Sequence, residues 1–355
     1  MPDRIFTSRL SSDEFPKDSI LDISNGGKVL IISDLHMGTG SRDDLYHNGE
    51  MLTCVLEEYY FNNGWILVLN GDIEELQRFS LGEIKEKWGG LYRVFNLFAK
   101  ENRLYKIIGN HDEPLTPSLN SSYPYPIHTA VKIETGIIPA YVYHGHQLSY
   151  IYSNFNWLIG ILIRFFMRPF GIKNITDSRS PTKRFKIEKK AYAFSIKNHC
   201  LSIIGHTHRS LFESLGRFDY IKFEIERLCR DYPASVGEDR SRIENEVIAL
   251  RKELSKLKQK ERRDVLRQSL YGDELPVPCL FNSGCAIGKK GLTAIEMTNK
   301  DIALVYWFIE GKSKKFVTRG GYEIEKIQGK PYNRAVLNYN KLDYVFARIK
   351  LLGNQ

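Results

Sequence analysis

Trp65-Ile66-Leu67-Val68-Leu69-Asn70-Gly71-Asp72 is a short apolar run that stops at a turn glycine and then a carboxylate. A run so short and so apolar reads as a strand buried on both faces. Four other places repeat the grammar. Val29 to Ile32 leads through Ser33 into Asp34-Leu35-His36, and Leu104 to Ile108 leads into Gly109-Asn110-His111-Asp112. Ala140 to Tyr143 leads into His144-Gly145-His146, and Leu201 to Ile204 into Gly205-His206-Thr207-His208. Every one of these strand candidates ends on residues that bind metals or move protons, and Asp72 is the hub of the set.

Helical patterns separate the first three strands. Leu45, Met51, Leu52, Val55, Leu56, Tyr59 and Tyr60 recur at near-helical spacing before the stop signal Asn62-Asn63-Gly64. Leu91, Val94, Phe95 and Phe98 mark a second amphipathic helix. Strand, helix, strand, helix, strand predicts a layered α/β domain, where ligands gather at the carboxyl ends of strands. After a proline-rich loop, Pro114 to Pro126, hairpin-like sequence runs to Pro139, and Leu292–Met297 with Ile302–Ile309 reads as another hairpin around Asn299-Lys300-Asp301.

The remaining segments set the expected domain plan. Residues 1–26 read as an irregular lead-in, 27–210 with 276–312 as the α/β domain, and 313–355 as a basic C-terminal extension. Within the domain, residues 150–200 read as a helical, partly apolar insertion. Phe155 to Ile172 is its most apolar part, but Arg164, Arg168 and Pro169 argue against a membrane span. The two arginines share one helical face, which fits either a membrane-surface helix or a buried helix with snorkelling arginines. Thr182 to His199 reads as a helix with Phe185, Ala191 and Phe194 inward. Residues 211–275 read as a helical hairpin: Ile243, Val247, Leu250, Leu254 and Leu257 form a heptad seam, Ile221, Ile225 and Leu228 the facing stripe, and Tyr232 to Gly237 the turn.

At 355 residues, 42% of them hydrophobic and 26% charged, the composition is that of a soluble globular chain with enough core to fold without cross-links. Five scattered cysteines with no Cys-x-x-Cys pair argue against a zinc ribbon or disulfide framework and point to a reducing, cytoplasmic setting. Met1-Pro2-Asp3-Arg4 opens no apolar signal region, so export is not expected. A net charge of +9 suits a phosphate ester, nucleic acid or an acidic membrane surface equally, or merely solubility.

Six of the nine histidines fall inside the five strand-end blocks, which a scatter of structural histidines does not explain. The ordered set Asp34-x-His36, Gly71-Asp72, Gly109-Asn110-His111-Asp112, His144 and Gly205-His206-x-His208 resembles the five sequence blocks of the calcineurin-like metallophosphoesterases. That resemblance implies two mixed β-sheets packed as a four-layer αββα sandwich with helical insertions. It also implies a first metal on Asp34, His36, Asp72 and His208, and a second on Asp72, Asn110, His144 and His206. The implied reaction is hydrolysis of a phosphomonoester, phosphodiester or pyrophosphate by a metal-bridging hydroxide.

The residue types agree with it. Imidazole and carboxylate ligands suit Mn²⁺, Fe²⁺ or Zn²⁺. Two ions about 3.5–4 Å apart clamp a phosphoryl group and acidify a bridging water. A carboxylate such as Asp72 spans two ions, whereas the carboxamide of Asn110 ligates without adding negative charge.

The resemblance casts His111 as the acid facing the leaving group, with Asp112 orienting it. Glu75, three residues after Asp72, reads as a partner of the ligands or a surface residue, and Arg209 as a solvated arginine or a phosphate contact. His144-Gly145-His146 offers two histidines, of which the family pattern favours His144.

Ser33-Asp34-Leu35-His36, the His144-Gly145 turn and the apolar insertion before Gly205 are similar to the UDP-2,3-diacylglucosamine hydrolase-like group. This implies a nucleotide-sugar or lipid-linked substrate and peripheral membrane contact. That group's best-known members carry arginine at the position of His111. The rival expectations are a nuclease or cyclic-nucleotide phosphodiesterase, and a non-catalytic scaffold of the same fold.

Overall fold

The computed structural model describes residues 15–40, 45–112, 115, 123–148, 181–212, 225–226, 228–264, 277–286, 291–312, 322 and 324–353. In chain order the strands are β1 (Ile20–Asp22), β2 (Lys28–Ile32), β3 (Ile66–Asn70), β4 (Leu104–Ile107), β5 (Ile127–His128), β6 (Val131–Glu134) and β7 (Pro139–Val142). They continue with β8 (Leu201–Ile204), β9 (Leu211–Phe212), β10 (Leu280–Asn282), β11 (Leu292–Thr298), β12 (Asp301–Ile309), β13 (Ile324–Lys326) and β14 (Tyr332–Lys341). The α-helices are α1 (Gly49–Cys54), α2 (Leu81–Lys87), α3 (Gly89–Lys100), α4 (Pro181–Asn198), α5 (Glu238–Asp264) and α6 (Leu342–Leu352).

Among the described residues the strands form two mixed sheets, so the chain is a layered α/β sandwich. The eight-stranded sheet has the order β13-β14-β12-β11-β2-β3-β4-β5, and the six-stranded sheet the order β1-β6-β7-β8-β10-β9. β2, β3, β4 and β5 are parallel, the first three joined by crossovers through helices, and β11 turns antiparallel against β2. In the other sheet β7, β8 and β10 are parallel neighbours. All five strand-end motifs therefore follow central strands, and the metal-capable residues stand at the carboxyl ends of both sheets.

Alternation decides which residues face the helices. Leu30, Ile32, Leu67 and Leu69 pack in one buried cluster with Met51, Leu52, Val55, Leu91, Val94, Phe95 and Phe98. The intervening Val29, Ile31 and Val68 are fully buried as well, as strands covered on both faces require. On the six-stranded sheet, Tyr141, Tyr143, Ile204 and Leu280 pack against Ile187, Ala191 and Phe194 of α4. Burying one phenylalanine such as Phe95 contributes roughly 1.5–3 kcal/mol. The Leu45–Tyr60 periodicity proves mixed: α1 runs into a π-helical stretch, Val55–Phe61, which keeps Val55, Leu56 and Tyr60 inward.

Two expected boundaries are corrected. The lead-in is not irregular throughout, since β1 pairs in parallel with β6. The stretch 313–355 is not an appendage: β14 lies along the whole of β12, from Tyr332↔Ile309 to Lys341↔Asp301, and α6 buries Leu342, Val345 and Ile349. Residues 213–278 separate as a unit of their own, described here by itself. Of the expected seam, Ile243 is buried and Val247, Leu250 and Leu254 are half-buried on α5, while the side chain of Leu257 lies outside the described residues; Leu228 is buried on the preceding helical residues, and a 3₁₀ turn spans Tyr232–Ala234. Ile221, the apolar stretch Phe155–Ile172 and the side chain of Phe185 lie outside the described residues. No described helix is long and apolar enough to cross a membrane.

Candidate metal centre

The loops that follow the strands adopt backbone that L-residues normally avoid. Asp34 (φ 55°), His36 (46°), Asp72 (52°), His206 (62°) and His208 (53°) are all left-handed. Each such position is unfavourable by roughly 1–3 kcal/mol unless its surroundings fix it. Here they do. Asp34 N–H donates to Gly71 O (3.1 Å) and His36 N–H to Asp72 O (2.9 Å). His206 N–H donates to both Asp34 carboxylate oxygens, and His111 N–H donates to Asp72 Oδ1 (2.8 Å).

Two glycines make the approach possible. A Cβ on Gly109 would collide with the backbone nitrogen and carboxylate of Asp72, and one on Gly71 (φ 78°) with the His144 ring.

Asp72 Oδ2 is the focus of the site. It lies 3.1 Å from His144 Nε2, 3.8 Å from His36 Nε2 and 4.0 Å from His111 Nε2. Asp34 Oδ1 is 3.1 Å from His208 Nε2, which is 3.0 Å from His36 Nε2. Among the described residues, ligand atoms fall within 4.8 Å of one another in three groups: Asp34-His36-His208, His36-Asp72-His111 and Asp72-His144-His206. Asp72 belongs to two of them and therefore joins the halves.

The hydrogen bonds reveal what these atoms lack. Glu75 Oε2 is 3.0 Å from His36 Nδ1, and Oε1 is 2.8 Å from His111 Nδ1. Burial raises the Glu75 pKa, but His111 and His36 outweigh it and hold the group below its ordinary value, so it is an ionised acceptor. Both Nδ1 atoms thus carry hydrogen, which turns both Nε2 atoms toward the Asp72 carboxylate. His144 Nδ1 donates to Asn70 O (2.8 Å), which aims His144 Nε2 at the Asp72 carboxylate, 3.1 Å away.

An imidazole nitrogen this close to a carboxylate favours a proton or a metal ion between them. Burial pulls the His144 pKa down, yet Asp72 and Asp34 outweigh it and hold it at about 9. The field that draws a proton there would draw a divalent ion more strongly. Asn110 Oδ1 is buried and accepts no hydrogen bond, as an oxygen ligand would. His206, lowered to about 3 by burial and by His144, is neutral and thus fit to ligate. The donor set of imidazoles, carboxylates and one carboxamide, without thiolate, fits two first-row divalent ions.

Asp34, His36, Asp72, His144, His206 and His208 are thus brought together as the sequence predicted. His146 sits on the next turn, His146–Leu148, with its ring centroid 5.5 Å from His144 and outside the three groups. His111 is near enough to Asp72 to reach an ion as well as a substrate.

The role expected of Asp112 is corrected. Its carboxylate accepts from Glu74 N–H (2.9 Å), Gly109 N–H (3.0 Å) and Lys106 Nζ (2.9 Å), and Glu75 is the group that orients the His111 ring. Arg209 is exposed, as a solvated arginine would be, and its guanidinium pairs with buried Glu188 of α4 (Nη2–Oε2 2.6 Å).

Sequence reasoning missed the contribution of β10. Asn282 Nδ2 holds Gly205 O and Thr207 Oγ1, and Ser283 Oγ lies 2.7 Å from Ser33 Oγ, which donates to Asp34 Oδ2 (2.5 Å). Leu280-Phe281-Asn282-Ser283-Gly284 carries the same grammar of an apolar run ending in polar residues and glycine, and could have been found by it. No protein-family profile matches the chain, and no characterised protein matches it in sequence.

Proposed function

We propose that this chain is a dinuclear metal-dependent phosphoesterase of the calcineurin-like type. The observation that supports this most is Asp72 Oδ2, a single carboxylate oxygen ringed by three imidazole nitrogens, with Asn110 Oδ1 buried and unsatisfied beside its loop. In this reading Asp34, His36 and His208 hold one ion, Asn110, His144 and His206 the other, and Asp72 both. The ions would neutralise phosphoryl oxygens and lower the pKa of a water.

The chain's own residues supply orientation and a proton. Glu75 fixes His36 with Nε2 toward Asp72 and fixes His111 in the same way. Burial pulls the His111 pKa down, but the neighbouring carboxylates raise it, and Glu75, which holds no ion in this reading, would favour a proton on the ring. As the ester P–O bond breaks, that proton passes to the leaving-group oxygen.

Within the class, the particular substrate we propose is a phosphorylated small molecule with a lipid-linked or nucleotide-sugar leaving group, handled in the cytoplasm with peripheral membrane contact. The apolar sequence Phe155–Ile172 with Arg164 and Arg168 supports this, as do five cysteines that are all free. A Mn²⁺-supplemented substrate panel covering monoesters, diesters, nucleotide sugars and single-stranded DNA tests it. Turnover of nucleotide sugars or other small esters is expected. Cleavage of DNA alone would replace the reading with a nuclease, and no turnover of any ester would end it.

A further inference from the structure

Lys106 is the one fully buried lysine among the described residues, and it lies on β4, three residues before the turn that carries Asn110 and His111. Its Nζ is 2.8 Å from Glu74 Oε2 and 2.9 Å from Asp112 Oδ2, with all three side chains at 0% exposure. Glu74 Oε1 also accepts from Tyr92 OH (2.9 Å) and Tyr123 OH (2.8 Å).

Asp112 ties two loops together, because it takes the backbone N–H of Glu74, after Asp72, and of Gly109, before Asn110. A buried cluster of this kind is tolerated only when every member is satisfied, and it then fixes one geometry. Nothing in the sequence pattern singles Lys106 out. Its neighbours in the run Leu104 to Ile108 are Leu, Tyr and Ile, and a lysine there would ordinarily point to solvent.

We propose that Lys106 is a positioning residue for the metal centre. By locking Asp112 between the two loops, it sets the distance from Asp72 to Asn110 and His111. The inference rests on the phosphoesterase reading for its kinetic half, and its binding half stands without it. Lys106 touches neither substrate nor ion, so its effect must pass through the Asn110–Asp112 turn. The ion on Asn110, His144 and His206 depends on that turn, whereas the Asp34–His36–His208 side does not.

The test is Lys106→Met, which keeps the length of the side chain and removes the charge. Calorimetric titration with Mn²⁺ should show one of the two binding events lost or weakened by roughly 10–100-fold, the range of losses seen when groups supporting metal ligands are removed. The other event should be unchanged. Turnover should fall by a similar factor through kcat, with KM held, whereas a merely structural role would lower the melting temperature and leave both titration and kcat alone. Hydrogen exchange at the Glu74 and Gly109 amides of the metal-free protein should quicken.

If Lys106→Met does not fold, Asp112→Asn decides, since it retains the shape and loses the charge. The same selective loss is expected there. Two unaltered binding events in whichever variant folds would overturn the inference. Wild-type protein without turnover would instead remove the phosphoesterase reading and leave the titration to judge Lys106.

Discussion

Glu75 holds two rings at once, since one carboxylate grips both His36, the proposed ligand, and His111, the proposed proton donor. A glutamine there has one acceptor and one donor, so it can serve only one of two Nδ1–H groups. Glu75→Gln should therefore lower kcat by roughly 10–100-fold, by leaving one ring free to rotate. Steady-state kinetics with a small aryl phosphate would show it, and an unchanged kcat would mean that the rings are fixed by something else. His111→Ala should retain both ions and lose about 10²–10⁴-fold in rate, the usual worth of a general acid. Loss of an ion in that variant would recast His111 as a ligand.

The ligands themselves were legible as residue types at strand ends. The orientation of Asp112 was not, because neighbours in a tight turn point where backbone twist sends them, and Asp34, His36 and Asp72 all lie in the left-handed region. Sequence spacing carries no signal for that, so Asp112 read as the partner of His111 while Glu75, 36 residues earlier, took the role.

At the scale of elements, three of the five motifs are strands followed by non-glycine residues held in left-handed backbone: Asp34 and His36, Asp72, and His206 and His208. Gly109 shows how little room remains, since any Cβ there would strike Asp72. Gly109→Ala should thus displace Asp72 or the Asn110 turn, and overpacking of this sort costs about 1–3 kcal/mol. The melting temperature should drop and Mn²⁺ should stabilise the variant less than it stabilises the wild type. Equal stabilisation of both would show that the two loops can separate without harm. The strands were readable because burial on both faces makes them uniformly apolar. β14 was not readable: of its ten residues, only Asn333 and Ala335 are buried, so no alternation marks it. β1, at three residues, is too short to leave a pattern.

The whole molecule separates an α/β frame that carries the candidate site from the unit inserted into it. β9 ends at Phe212 and pairs antiparallel with β10, so that Phe212 lies opposite Phe281. The hairpin segment 213–278 therefore leaves and re-enters the sheet between adjacent strands, like an enlarged turn. Replacing it with a short glycine-containing turn should leave turnover of a small aryl phosphate within about three-fold of the intact chain, because long loops cost little to close and the metal ligands lie in the other unit. Loss of that activity would assign the hairpin a part in catalysis.

The account as a whole turns on Asp72 being shared. Electron paramagnetic resonance of the protein loaded with Mn²⁺ tests this most directly, because two ions bridged by one carboxylate give an exchange-coupled signal and separate ions do not. Wild-type protein should show the coupled spectrum, and Asp72→Asn should show only uncoupled Mn²⁺ with turnover abolished. A single uncoupled ion in the wild type, or a coupled pair that survives in Asp72→Asn, would contradict it.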